Sequence, residues 1–353
     1  MKQTFILISL IIIALSGCSG EKLNNEFSGE DVAMISSGDP ALEESKNLEL
    51  LRKSDQVAES SVPFTLVKAF VPDDDFKNKT SVKGEEFTFL TLPKDKDYLT
   101  GNIIVENNKE ENVEMQAIFM QGDHTAKVRP EEDEKWSRSI KYEVPPKTSI
   151  TLPVEISIEQ EGQEELSFIP LADLSDKEKI GNENVSNYRF FLQLGDVTID
   201  NGKLGDHSFT LSEEQMSTLK DPYPSPSWST DGGKPVKFYE NNDRLTTENS
   251  IEGITLNPVP YSTSVDVVHF DEHGNSTVLK KDVVLNENES KFIPFDQATI
   301  ESLYEKDRRQ FIKVTNNRGK DILADLKALD HGSKPFPTSY QGIIELHPKK
   351  KGD

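Results

Sequence analysis

The reactive groups of this chain are one thiol, six imidazoles and a large excess of carboxylates. The histidines, His124, His207, His269, His273, His331 and His347, are scattered along it. Only His269 and His273 lie close in sequence, with Asp271 and Glu272 between them. His269, Asp271 and His273 are therefore the candidate metal ligands, because imidazole and carboxylate are donors that zinc accepts. In a strand His269 and Asp271 share a face, whereas a turn redirects His273. A solvated turn is the expectation there, and no metal is assigned. Asp73-Asp74-Asp75 is oxygen-rich but lacks the alternating spacing and glycine that wrap a calcium ion, so it too reads as a solvated loop. The chain has no Gly-x-Ser-x-Gly elbow, no His-Glu-x-x-His and no phosphate-binding glycine loop. On this reading there are no catalytic residues and no cofactor, and the protein is expected not to be an enzyme. Trp136 and Trp228 are large enough to stack on a sugar; Trp136 follows the acidic run from Glu131 to Glu134 and is expected to cover a sheet edge or core.

The thiol is Cys18, the only cysteine. It closes Leu15-Ser16-Gly17-Cys18, after the apolar run Phe5 to Leu15 and the basic Lys2. A basic start, a short apolar core and small residues at the cut are the layout of a secretory signal. The core is shorter than the roughly 20 residues that span a bilayer as a helix. The segment resembles the lipobox of bacterial lipoproteins. That resemblance implies that residues 1–17 are a signal peptide, that diacylglycerol alkylates Cys18, and that cleavage leaves Cys18 as the first residue. A lone thiol in an oxidising compartment needs a partner or a task, and acylation supplies one. Two acyl chains anchor stably where one does not, at about 0.8 kcal/mol per buried CH₂. The expected location is the extracytoplasmic face of the cell membrane.

Forty Lys and Arg stand against 62 Asp and Glu, a formal charge of −22. This excess argues against nucleic acid and anionic lipid surfaces as partners, since both need clustered cations. Residues 18–61 are poor in aromatics and rich in Glu, Ser, Asn and Gly, so they read as the acylated cysteine followed by a flexible tether. As a coil, some forty residues span about 35 Å r.m.s..

Beyond Val62 the pattern turns to short strands. Ile150, Leu152, Val154, Ile156 and Ile158 fall on one face, and Pro153 suggests an edge or bulge. Val113, Met115, Ala117 and Phe119 alternate likewise. Further strands are expected over 64–70, 87–92, 102–106, 138–144, 188–194 and 207–211. Such alternation predicts antiparallel sheets with one wet face. Capping boxes at Ser175 and Ser212 predict two short helices, and Asp296 can cap a helix burying Ile300, Leu303 and Tyr304. Val265–Phe270 and Ser276–Leu285 read as a hairpin around Gly274. Gln310–Thr315 is a strand, and Asp321–Leu329 is a strand or a helix.

The run Asp221 to Pro235, with alternating prolines and Gly232-Gly233, is the expected linker. The segments on either side share a layout. Gly101–Phe119 parallels Gly253–Phe270, Val144–Pro153 parallels Leu285–Pro294, and Tyr188–Phe191 parallels Arg309–Ile312. The fold expected is all-β with a few short helices: two immunoglobulin-like β-sandwich domains in tandem, 62–220 and 236–353, joined by 221–235. The function expected is a lipid-anchored envelope protein acting as a binding or assembly module. Its partners would be the membrane, through diacylglycerol on Cys18, and an envelope protein or glycan. Two other classes stay open. A solute-binding lipoprotein of a transporter would need α/β lobes with parallel strands. A cell-wall or glycan hydrolase would need a cleft with two carboxylates about 5–10 Å apart.

Overall fold

The computed structural model describes residues 32–35, 43–44, 66–82, 85–131, 135–172, 185–195, 223–241, 244–247, 250–259, 262–304, 308–316 and 340–346. Cys18, both capping boxes, the strand expected over 207–211 and the segment 321–329 lie outside the described residues, as do His207, His331 and His347.

The chain forms β1 (Val32–Ile35), β2 (Glu43–Glu44), β3 (Leu66–Pro72), β4 (Lys77–Val82), β5 (Glu85–Leu92), β6 (Tyr98–Asn107), β7 (Val113–Gln121), β8 (His124–Ala126), β9 (Val128–Pro130), β10 (Ser139–Val144), β11 (Thr148–Ser157), β12 (Glu165–Ala172) and β13 (Tyr188–Leu194). These build a first sandwich. One sheet runs β1-β10-β7-β12-β13-β5-β4 with β8 beside β7; the other runs β2-β11-β6-β3 with β9 beside β11. The alternation in β11 points Ile150, Leu152, Val154 and Ile156 into a core shared with Phe70, Leu99, Ile103, Phe119 and Phe168. Phe70 meets Phe119 edge-on at 5.0 Å between centroids, and Phe119 stacks on Phe168 at 5.1 Å.

Then follow β14 (Pro226–Ser229), β15 (Phe238–Asn241), β16 (Arg244–Thr247), β17 (Gly253–Leu256), β18 (Thr263–Asp271), β19 (Ser276–Leu285), β20 (Lys291–Pro294), helix α1 (Gln297–Tyr304), β21 (Gln310–Thr315) and β22 (Gln341–Leu346). The second sandwich pairs β14-β17-β20 with β19-β18-β21-β22, and β15-β16 form a separate hairpin. Its core gathers Trp228, Ile251, Ile254, Val265, Val267, Ile312, Val314 and Ile344. Asp296 caps α1, accepting the backbone N–H of Thr299 at 2.8 Å, and α1 buries Ile300 and Leu303.

The two sandwiches share one topology. Strands β3, β6 and β11 form a three-stranded path in the first, as β14, β17 and β20 do in the second; β10, β7, β12 and β13 match β19, β18, β21 and β22. The chain is all-β and built from two immunoglobulin-like sandwiches in tandem.

Several expectations change. The strand Gln310–Thr315 holds the place of β12, not of β13, so the likeness between Tyr188–Phe191 and Arg309–Ile312 is off by one strand. Two pairings are parallel, β1 with β10 and β13 with β5. The segment read as tether contributes β1 and β2. The segment read as linker contributes β14, with Trp228 only 1 % exposed and its Nε1 donating to Glu345 O at 3.1 Å. Proline is tolerated because β14 is an edge strand and Pro226 begins it. Pro153 sits inside β11, not on an edge, but β2 ends at Thr151 and β9 begins opposite Val154. Pro153 O accepts Glu131 N–H, so the proline nitrogen points to that same side, into the gap between β2 and β9. Finally, the wet face expected of each sheet is missing on β12, β21 and β7 from Ala117 onward, which are buried on both faces, whereas Val113 to Gln116 of β7 keep the expected alternation.

Candidate functional site

The candidate metal ligands His269, Asp271 and His273 are engaged in another task. Asp271 ends β18. Its Oδ1 accepts the backbone N–H groups of His273 and Asn275 at 2.9 and 3.0 Å, and its Oδ2 accepts Asn275 Nδ2 at 2.8 Å. The carboxylate therefore organises the turn, with Arg308 Nη1 3.4 Å away. The His269 ring instead meets Gln310 Oε1 at 2.7 Å, and burial holds its pKa below the usual imidazole value against the pull of Gln310 and Asp271. Among the described residues no group of three or more His, Cys, Asp or Glu side chains is placed to hold a metal ion.

The same turn is not solvated. It docks on the first sandwich: Thr125 Oγ1 donates to Gly274 O at 2.7 Å, Arg138 Nη1 to Asn275 Oδ1 at 3.0 Å, and Ser139 Oγ to His273 O at 3.2 Å. Gly274 has φ of 82°, and a Cβ there would come within 2.8 Å of Arg138 O. Glycine is required for both reasons.

The other acidic and aromatic candidates are also engaged. Asp73 accepts from Thr100 Oγ1 and from Asn102 Nδ2, and Asp74 pairs with Lys77 at 2.9 Å. Trp136 is half-buried under Arg129, whose guanidinium lies 4.4 Å from the ring centroid and pairs with Glu155. It covers the β9–β11 region, while Trp228 is core.

What the structure does assemble is a seam between the sandwiches. The faces of β7 and β12 pack on those of β18, β21 and β22, burying Ile118, Met120, Ile169, Leu171, Val268, Phe270, Phe311 and Ile343. Phe270 stacks on Phe311 at 4.8 Å. Into this layer β21 projects Lys313, fully buried. Its Nζ donates to Gly122 O and, at 3.3 Å, to Ser167 Oγ, both on the first sandwich. Glu165, 1 % exposed, lies 3.9 Å from that Nζ. Glu165 Oε1 accepts from Thr315 Oγ1 and Gln341 Nε2, each at 3.1 Å. Its Oε2 has no hydrogen-bond partner among the described residues, and Arg189 Nε stands 3.9 Å away. Burial pushes the Lys313 ammonium down to about 8, with Glu165 pulling the other way.

Further polar contacts fasten the seam. Gln163 Nε2 donates to Asp266 Oδ2 at 3.0 Å. Arg309 grips Glu345 through two bonds of 2.6 and 2.9 Å and reaches across to Ala172 O at 2.8 Å. Lys281 pairs with Asp123 at 3.2 Å, and the neighbouring His124 contact, more than Lys281, holds the Asp123 carboxyl at about 2. None of these residues was a sequence candidate. The available signal was a lone charge inside a strand apolar on both faces, as in Phe311-Ile312-Lys313-Val314. Chemically the seam is a clasp. It holds the two sandwiches in one register.

No family model and no curated protein matches the chain. Among solved structures, the YadV chaperone aligns at 11 % identity over 80 % of this chain and 100 % of its own, with a TM-score of 0.20. A red sea bream transglutaminase aligns at 10 % identity over 86 % of this chain and 33 % of its own, also at 0.20. The calcium binding domain CBD12 of CALX1.1 aligns at 9 % identity over 69 % of this chain and 84 % of its own, again at 0.20.

Proposed function

We infer that the chain is a lipid-anchored extracytoplasmic envelope protein that works as a binding or assembly module. Diacylglycerol on Cys18 holds it to the cell membrane, and its partner is another envelope protein or a glycan. The observation that supports this reading best is the seam. Two sandwiches joined through buried faces have spent those faces on each other, and what they offer a partner is outer sheet faces, strand edges and loop ends. Among the described residues no helix is long and apolar enough to cross a membrane; on this reading attachment rests on the Leu15-Ser16-Gly17-Cys18 motif.

The test is Cys18→Ser in cells fed labelled palmitate. The parent should sediment with membranes and carry label; the variant should lose the label and either appear in the soluble fraction or accumulate as uncut precursor. A variant cleaved and membrane-bound like the parent would remove the lipid anchor from the reading.

A further inference from the structure

The stretch that follows the anchoring position is engaged with the first sandwich. β1 lies parallel to β10, with Val32 opposite Ser139 and Ile35 opposite Tyr142. It is the terminal strand at that end of its sheet. Ile35 is buried in the first core, Ala33 packs against that core, and Met34 points away, 68 % exposed. A few residues later β2 pairs with β11, Glu44 opposite Ile150. One short stretch thus covers a strand edge in each sheet of the sandwich. An open edge is a row of unpaired backbone donors and acceptors that takes up another chain. The cover is slight. It is four residues long in one place and two in the other, and the longer piece uses the less stable parallel pairing. Segments with so little buried surface open at the lowest free-energy cost in a fold.

We propose that β1 and β2 are the two contacts of a releasable strap. Docked, the strap closes the β10 edge and keeps the sandwich pair near the membrane. Released, it opens that edge to an extended segment of an envelope partner with the same pattern, a small residue and a large apolar residue two positions apart. That pattern is set by Ala33 and Ile35, whose side chains face the core. The reach follows from chain length. At 3.3–3.6 Å per residue, Cys18 to Val32 spans at most about 50 Å, whereas Cys18 to Leu66 spans up to about 170 Å. Only this reach rests on the lipid-anchor reading; the docking edge does not.

The experiment uses the full mature chain carrying Cys18→Ser, which has no acylation site and no thiol. Met34 and Lys141 stand opposite each other in the ladder. Met34→Cys with Lys141→Cys should form an intramolecular disulfide on mild oxidation, and adding Ile35→Asp should slow it about tenfold by placing a charge against the core. A labelled peptide of residues 30–37 should bind the Ile35→Asp chain saturably and about tenfold more tightly than the parent chain, whose edge is occupied. A peptide with its own Ile35→Asp should not bind. Ala33→Asp, which empties no core space, is the second releasing variant, and a retained cooperative melting transition certifies the fold of either. Unaltered disulfide kinetics in both variants, or equal peptide binding to parent and variants, overturns the strap. Because no lipid is present, these outcomes are separate from failure of the anchor.

Discussion

Inside each sandwich the packed layer is apolar; between the sandwiches it is not. The first core is lined by Phe70, Leu99, Ile103, Phe119, Leu152 and Phe168. The seam has a comparable aromatic and aliphatic layer, yet it carries Lys313, Glu165, Ser167 and Thr315 at full burial or close to it. An apolar layer rewards any arrangement that excludes water. A buried cation rewards only the arrangement that brings Gly122 O, Ser167 and Glu165 to it, since elsewhere it is left unpaired at a cost of several kcal/mol. The difference teaches that the cores supply stability, whereas the seam supplies register. It fixes which face of one sandwich meets which face of the other.

Three measurements break or sharpen that contrast. The largest effect should come from the core: Phe168→Ala removes a ring stacked against Phe119 and should cost about 3–5 kcal/mol in denaturant unfolding. A loss under about 1 kcal/mol would mean the first core is not close-packed.

The seam should respond differently. Lys313→Met strands Glu165 and should cost about 3 kcal/mol, but Lys313→Met with Glu165→Met should recover most of it, because apolar replacement of a buried pair is often neutral. The recovered double variant should then sample more than one arrangement of its two halves, read as broadened interdomain distances between spin labels. A double variant as unstable as the single one, or with an unchanged distance distribution, would refute the register role.

The smallest effect is on pH. The Lys313 ammonium sits near 8 in the folded protein against an ordinary value of 10.5. Between those limits the unfolded chain holds a proton that the folded chain has released, so this residue makes stability rise with pH. Below about 8 the penalty of its buried charge is fully present. Against that burial the Glu165 and Asp123 carboxylates pull the Lys313 value up, and Arg189 pulls it down. Stability of the parent should therefore climb relative to Lys313→Met between pH 8 and 10, and a flat difference would place the ammonium in contact with water.

Much of the architecture is legible in the sequence where local rules decide it. The alternation of β11, the turn at Gly274 and the cap at Asp296 each depend on neighbours within a few positions. What depends on a second layer is not. Val32-Ala33-Met34-Ile35 is a brief apolar run in a polar stretch, and its partner β10 lies a hundred residues on, so composition alone makes it tether. Trp228 sits among prolines that mark an edge strand as readily as a linker. Lys313 looks like any strand lysine facing water until the first sandwich covers it. The seam loop illustrates the same point from the other side: His269, Asp271 and His273 have metal-binding chemistry, but the His269 ring is taken up by Gln310, the Asp271 carboxylate by the turn, and the His273 carbonyl by Ser139 of the neighbouring sandwich.

The two faces in the seam are equivalent strands of one repeated topology, β7 and β12 against β18 and β21. Two identical sandwiches meeting through this face as a symmetric dimer would bring like side chains toward each other across the axis, glutamate near glutamate or lysine near lysine. Covalent joining lifts that restriction. Each half can carry its own charge at corresponding strands, one the carboxylate and one the ammonium, and the pair becomes directional. A first sandwich therefore matches a second sandwich and not another first one, so neighbouring molecules cannot join through like halves without burying carboxylate against carboxylate or ammonium against ammonium.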